Sequence, residues 1–265
     1  MAVIIERQSS SAARWARRLA LFSAALFITS CAGHRLSAVE TVPFFWLVCL
    51  IAALALLALL LGLLGMRALW ERGDRGGRAS ALAIVVAAAV LAPIGFAGFL
   101  AYTLPPISDV STDVLEPPAF RVAAEQRRGE MIPLGAYPRE QADIQREAYA
   151  DVTGRRYAVP ARGIQELVSL LVAERRWTVL HPFDADGDGG ESTMEAVAHS
   201  PLLGLLSDVA VRVTDEGETS YVDMRSVSRY GARDLGDNAR KIAGFLADLD
   251  QLVTLRSTMT LPPGE

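Results

Sequence analysis

The stretch VAVRVTDEGETSYVDMRS, residues 209–226, reads as a β-hairpin. Val209, Val211 and Val213 alternate with Ala210 and Arg212, and side chains two apart on a strand share a face. Asp215, Glu216, Gly217 and Glu218 are turn formers. Alternation resumes over residues 219–226, with Val222 and Met224 on one face and Tyr221, Asp223 and Arg225 on the other. Upstream, residues 177–181 and 193–199 read as two further strands. Before them Ile164, Leu167, Val168, Leu171 and Val172 recur at helical spacing behind Pro160, which suits a first-turn position. After the hairpin, Ile242, Phe245, Leu246, Leu249, Leu252 and Val253 form one helical stripe, with Asp237 as the expected N-cap. Helix, four strands, helix predicts an α+β domain: an antiparallel four-stranded sheet with helices on one face.

The N-terminal part has a different character. The chain is 51% hydrophobic and its mean hydropathy is +0.27, but the apolar excess lies before Pro105. Residues 42–66 and 79–104 are uncharged and each long enough to cross a hydrocarbon layer. Pro93, Gly95 and Gly98 in the second of these are tolerated in membrane helices. A shorter apolar run, residues 19–33, spans the layer only as a helix over about 15–36, with Trp15 and Leu36 at the interfaces. Residues 1–104 are therefore read as a membrane anchor of three transmembrane helices. Residues 105–118 (PPISDVSTDVLEPP) read as an extended Pro-rich tether, and residues 119–265 as the α+β domain, with a short polar helix over 139–149.

Arginine placement gives orientation. Arg7, Arg14, Arg17 and Arg18 precede the first helix, and Arg67, Arg72, Arg75 and Arg78 lie between the second and third, against Arg35 alone in the first loop. The positive-inside rule puts the N-terminus in the cytoplasm and the C-terminal domain on the extracytoplasmic side of an inner membrane, in the periplasm. Arg17-Arg18, the apolar run and Ile28-Thr29-Ser30-Cys31 also fit a secretory signal ending in a lipoprotein cleavage box. A plain first helix with an incidental cysteine is the simpler reading, and both leave the domain outside. None of the three helices carries a mid-membrane charge, so they read as an anchor rather than a transport path.

Residues 105–265 carry 17 Lys+Arg against 26 Asp+Glu. An acidic domain is a poor partner for nucleic acid. The only cysteines, Cys31 and Cys49, lie in the apolar part, so the domain has neither a thiolate nucleophile nor a Cys-based zinc site. Phosphate-loop, zincin, nucleophile-elbow and dinucleotide signatures do not occur.

Two motifs remain. Residues 184–195, DADGDGGESTME, match a calcium-loop spacing, with Asp184, Asp186, Asp188 and Glu195 as oxygen donors and Gly189 at the sharp turn. Strands rather than helices flank the loop and Glu191 stands where an apolar residue is usual, so a solvated acidic hairpin explains it as well.

The denser motif is DMRSVSRYGARDLGDNARKI, residues 223–242. As a ligand site, Arg225 and Arg229 offer bidentate contacts to an anion, with Ser226, Ser228 and Asn238 as neutral hydrogen-bonders near a helix N-terminus. As a structural clasp, Asp223, Asp234 and Asp237 neutralise Arg225 and Arg229 and tie the last strand to the last helix. Arg212 shares the outward parity of Asp223 and Arg225. The two motifs support two function classes. One is an envelope binding or structural module, recognising an anionic ligand, a lipid head group or a partner protein. The other is a hydrolytic or transfer enzyme on the polar face of the sheet, using Asp223, Glu195 or His199; His181 and His199 are the domain's only histidines.

The same twenty residues resemble the signature of a bacterial family known as domain of unknown function 1499, close to D-x-R-S-x-S-R-x-G-x-x-D-L-G-x-N-A-x-R-I. Asp223, Arg225, Ser226, Ser228, Arg229, Gly231, Asp234, Leu235, Gly236, Asn238, Ala239 and Ile242 match; Lys241 stands where the pattern has Arg. Weaker likenesses are Asp109 to Asp113 with Pro117 to Phe120, then Tyr149 to Val152, then Glu195-Ala196. Ser207-Asp208 stands where a pair of aspartates is common. The resemblance covers roughly residues 107–252. It implies a shared fold, an envelope location and three tethering helices, and no activity.

Overall fold

A computed structural model describes residues 10–184 and 190–260 of the chain, which divides into two units at Leu100. The first unit contains three helices: α1 (Ser11–Arg35), α2 (Thr41–Arg72) and α3 (Gly77–Thr103). Ser10 caps α1 by accepting from the Ala13 N–H, and Gly73 ends α2 in the left-handed conformation. Small side chains fill the helix contacts: Ala16 and Ala20 of α1, Ala58 of α2, Ala83 and Ala87 of α3. The tightest point is Gly65, where an added Cβ would stand 2.4 Å from Ser80 Oγ and 3.3 Å from the Ala13 backbone. Meanwhile Phe22, Trp46, Leu50, Leu60, Phe96 and Phe99 face outward.

Among the described residues, α2 and α3 are long and apolar enough to cross a membrane. Three such helices were expected. The first does form, over 25 residues, but Arg17 and Arg18 at one end and His34 and Arg35 at the other confine its apolar run.

The second unit adds β1 (Asp109–Ser111), α4 (Val122–Gln126), α5 (Arg139–Ala148), β2 (Arg155–Tyr157), α6 (Ala161–Glu174), β3 (Thr178–His181), β4 (Glu191–His199), β5 (Leu206–Asp215), β6 (Ser220–Ser228) and α7 (Asp237–Thr260). The four expected strands pair antiparallel in chain order, β3-β4-β5-β6. The sheet has six strands, however, because β2 and β1 both pair antiparallel with the free edge of β6, against residues 220–222 and 225–227 respectively. Residues 105–118 are therefore not a free tether: Ile107 and Val110 are fully buried and Asp109, Val110 and Ser111 are strand residues. The exposed edge of β1 is closed by a side chain. Gln145 of α5 accepts from the Ser111 N–H at 3.0 Å and donates to the Ser111 carbonyl at 2.6 Å, as a neighbouring strand would.

The alternation read from the hairpin sorts the two faces. Val209, Val211, Val213, Val222 and Met224 pack with Met194, Ala196 and Ala198 against α6 and the Ile242, Phe245, Leu246, Leu249 stripe of α7. The opposite face carries Glu195, Asp208, Arg212, Asp223, Arg225 and Arg229. Residues 112–137, with no periodicity of their own, cover it through the bonds described next.

Candidate functional site

Arg225 sits two residues from Asp223 on β6, opposite Ala210, whose small side chain leaves room for it. Its Nε and Nη2 donate to the two oxygens of Asp109 at 3.0 and 2.6 Å, a bidentate pair across β1 and β6. Nη2 also donates to the Gly135 carbonyl, and the guanidinium lies between the rings of Phe120 and Tyr137, at 5.4 and 5.5 Å. Burial, ahead of the Asp109 charge, holds the Tyr137 hydroxyl well above its ordinary pKa.

Asp208 on β5 is fully buried and serves two arginines. One oxygen accepts from Arg229 Nε and Nη2 at 3.0 and 2.7 Å, the other from Arg127 Nε at 2.7 Å. Arg127 follows α4 and threads through the covering segment. Its remaining nitrogens donate to the carbonyls of Ile132, Ser228 and Val227. Burial pulls the Arg127 pKa down, with Asp208 opposing. Asp223 accepts from Thr112 Oγ1 at 2.7 Å and from Arg212 Nη2 at 2.9 Å. Arg212 also reaches Asp113, at 3.2 Å. Burial works against the Arg212 charge, yet Asp223 holds its pKa above the ordinary value.

Glu195, 1% exposed, spends both oxygens on the N-terminus of α4, accepting from the Arg121, Val122 and Ala123 N–H groups at 2.7, 3.1 and 2.7 Å. Both oxygens that the calcium and general-base expectations assign to Glu195 are thus engaged within the domain. Asp184 lies 3.1 Å from His181 Nε2; Asp186, Asp188 and Gly189 fall outside the described residues. Among the described residues no group of three His, Cys, Asp or Glu could hold a metal ion.

Ser226, Ser228 and Asn238 lie on the other side of the sheet, under α7. Ser226 donates to Asn238 Oδ1 at 2.7 Å, and Asn238 Nδ2 donates to Ser228 Oγ at 3.0 Å and to the Ser108 carbonyl at 2.9 Å. They are thus separated by the sheet from Arg225 and Arg229, with which the anion reading grouped them. Asp234, not Asp237, caps α7: its oxygens accept from the Gly236 and Asn238 N–H groups at 2.9 and 2.8 Å. Burial raises its pKa, against those two bonds. The arginines of the motif therefore pair with Asp109 and Asp208, not with Asp234 and Asp237, and they bind the covering segment to the sheet rather than strand to helix. Asp237 bonds instead to Lys241, whose Nζ also donates to Ser207 Oγ at 2.9 Å. Burial depresses the Lys241 pKa, with Asp237 opposing.

One cleft opens beside this network. It measures about 820 Å³ and is walled by Leu115, Pro117, Phe120, Leu134 and Tyr137, with Arg225 at its base and Arg139, Arg146 and Asp143 also lining it. His199, Glu195 and Asp223 do not line it. Sequence reasoning missed Arg127 and the cleft because residues 119–137 carry no periodic signal.

A family model described as "Protein of unknown function (DUF1499)" matches residues 109–249, just over half of the chain. The chain belongs to this family. The DUF1499 match begins on the first residue of β1 and ends on the last fully buried residue of α7, so it covers the sheet, its two core helices and the covering segment, and excludes α1 to α3. No curated protein and no solved structure matches the chain. Lys241 of the DUF1499 signature and Ser207 upstream of it, two of the departures from the common pattern, touch each other.

Proposed function

We propose that the chain is a membrane-anchored binding module of the cell envelope, held in the inner membrane by α1, α2 and α3, with its N-terminus cytoplasmic and its DUF1499 domain periplasmic. Arg7, with Arg14, Arg17 and Arg18 in the first turns of α1, and Arg67, Arg72, Arg75 and Arg78 around the α2–α3 connection support the orientation. The packing of α1 supports its role as a third crossing: it buries Ala13, Ala16 and Ala20 and turns Leu21, Phe22 and Ile28 outward.

The cleft carries the binding reading. In a domain with an excess of acids, it gathers Arg139, Arg146 and Arg225 against one carboxylate, Asp143, beside aromatic and aliphatic walls. Asp109 already neutralises Arg225 and Asp143 bonds Arg146 at 2.7 Å, so Arg139 carries the cleft's surplus positive charge to meet a ligand's head. Such a lining suits an amphipathic anion: a carboxylate or phosphate head on an apolar body. The enzyme reading has no comparable support, since Glu195 and Asp223 are committed to structural bonds.

Native mass spectrometry of the detergent-solubilised full chain tests this, with palmitate in one arm and phosphatidylglycerol in the other. The wild type is expected to retain one equivalent. Arg139→Ala with Arg146→Ala is expected to bind roughly tenfold more weakly at an unchanged melting temperature. Equal retention by the two proteins removes the cleft as the site. The arm with the stronger signal tells a free acid from a lipid.

A further inference from the structure

Two hairpin tips of the sheet, β4–β5 and β5–β6, have opposite chemistry. The β5–β6 turn is acidic, with Asp215, Glu216 and Glu218 around Gly217. The β4–β5 turn, Pro201-Leu202-Leu203-Gly204-Leu205-Leu206, has no charge and four leucines. It is a built turn. The Ser200 N–H donates to the Leu205 carbonyl at 2.8 Å, the Leu205 N–H to Ser200 Oγ at 2.9 Å, and Gly204 takes the positive φ that closes the loop. Leu202 stands at the tip, 83% exposed.

The end of the sheet that holds this turn also receives the chain from α3. The Ser228 N–H donates to the Ser108 carbonyl, the Arg229 N–H to the Leu206 carbonyl, and the Asp234 N–H to the Ile107 carbonyl, at 2.9, 3.0 and 3.0 Å. Only Leu104, Pro105 and Pro106 separate Thr103, the last residue of α3, from Ile107. Four links of extended chain reach at most about 14 Å, and the interfacial layer of a bilayer is itself roughly 5–8 Å deep.

We infer that the 201–206 turn is a second membrane contact, inserting Leu202 into the outer interface of the same bilayer that α3 crosses. This rests on the membrane reading above. The short connector ties this end of the sheet, not the end with the acidic turn, to the chain leaving α3. An uncharged leucine-rich tip gains from burial in the interface, where acids would be repelled by anionic head groups.

The test uses the full chain in nanodiscs with Cys31 and Cys49 changed to alanine. An environment-sensitive fluorophore is placed singly by Leu202→Cys, by Glu218→Cys and by Leu57→Cys, the last on an outward face of α2. Doxyl-labelled phosphatidylcholine is the quencher. The expected result is strong quenching and blue-shifted emission at 202 and 57, several-fold above 218. Quenching at 57 with 202 no better than 218 overturns the turn's role and leaves the membrane anchor standing. No quenching at 57 overturns the anchor, and the inference with it.

Discussion

The two units bury opposite things. In α1 to α3 the buried positions are mostly alanine, glycine and serine, with Phe44, Ile51 and Val90 the large exceptions, while many leucines, Phe22, Phe96, Phe99 and the tryptophans Trp15, Trp46 and Trp70 face out. In the DUF1499 domain one face of the sheet buries valine, isoleucine, leucine and phenylalanine, while the other buries arginines, aspartates and a glutamate. The difference follows from what each surface meets. On the membrane reading proposed above, helices in lipid gain nothing by hiding leucine from hydrocarbon, so close backbone approach decides which residues go inside. A water-exposed domain hides its apolar side chains in α6, α7 and the sheet. It can then bury charges only where an opposite charge or, as at Glu195, several N–H donors meet them, because an isolated buried ion is prohibitively costly.

The largest expected effect comes from breaking the charged layer. Asp208→Ala leaves Arg127 and Arg229 buried without their shared carboxylate. The full chain should lose about 3–5 kcal/mol of domain stability, seen as a sharp fall of the domain's melting transition, with the helical signal of α1 to α3 retained. A melting temperature within 2–3 °C of wild type, roughly the shift from 1 kcal/mol, would show that the layer is not what holds the covering segment. A smaller effect is expected on the other side of the comparison. Gly65→Leu forces a branched side chain between α1, α2 and α3 and should destabilise the bundle by about 1–3 kcal/mol, whereas Leu57→Ala on the outward face should change little. Detergent-denaturation midpoints separate the two, and equal shifts would undo the small-residue argument.

The helix-facing side offers the smallest effect, read through pH. Lys241 has a folded pKa below the ordinary 10.5 because it is buried, with Asp237 partly restoring it. Its charge is then a fixed cost at low pH. As pH rises from the folded value toward 10.5, the folded chain sheds the proton before the unfolded chain does, and the cost disappears. The wild type should therefore gain stability relative to Lys241→Met over that alkaline window. A difference that stays flat to pH 10.5 would contradict the burial argument.

What was legible in the sequence was whatever repeats with a short period. The valines of β5, Val222 and Met224 of β6, and the α7 stripe put the four main strands and two core helices where they are. The same parity joined Arg212 to Asp223, which bond at 2.9 Å. Parity also contained a warning not used: Ser226 and Ser228 are even where Arg225 and Arg229 are odd, so the two pairs lie on opposite faces. β1 and β2 are three residues each, too short to alternate visibly, and residues 119–137 are ordered by partners far away in the chain. Nearness in sequence pointed the arginines at Asp234 and Asp237. Register gave Arg225 to Asp109 and Arg229 to Asp208 instead. Ser207 and Lys241 each departed from the expected pattern, and nothing in the order of residues said that they meet.

The pairing of β1 with β6 also sets an order of assembly. Asp109 precedes Arg225 by 116 positions, and at a synthesis rate of roughly 5–20 residues per second it is exposed on the order of ten seconds before its partner exists. Through that interval the carboxylates of Asp109 and Asp113 are hydrated and the covering segment has no completed sheet to lie on. The ion-paired layer can close only after the hairpin of residues 209–226 has formed. A nascent chain stopped short of Arg225 therefore carries α1 to α3 intact and a domain without its outer wall, a form open to proteases along residues 105–137.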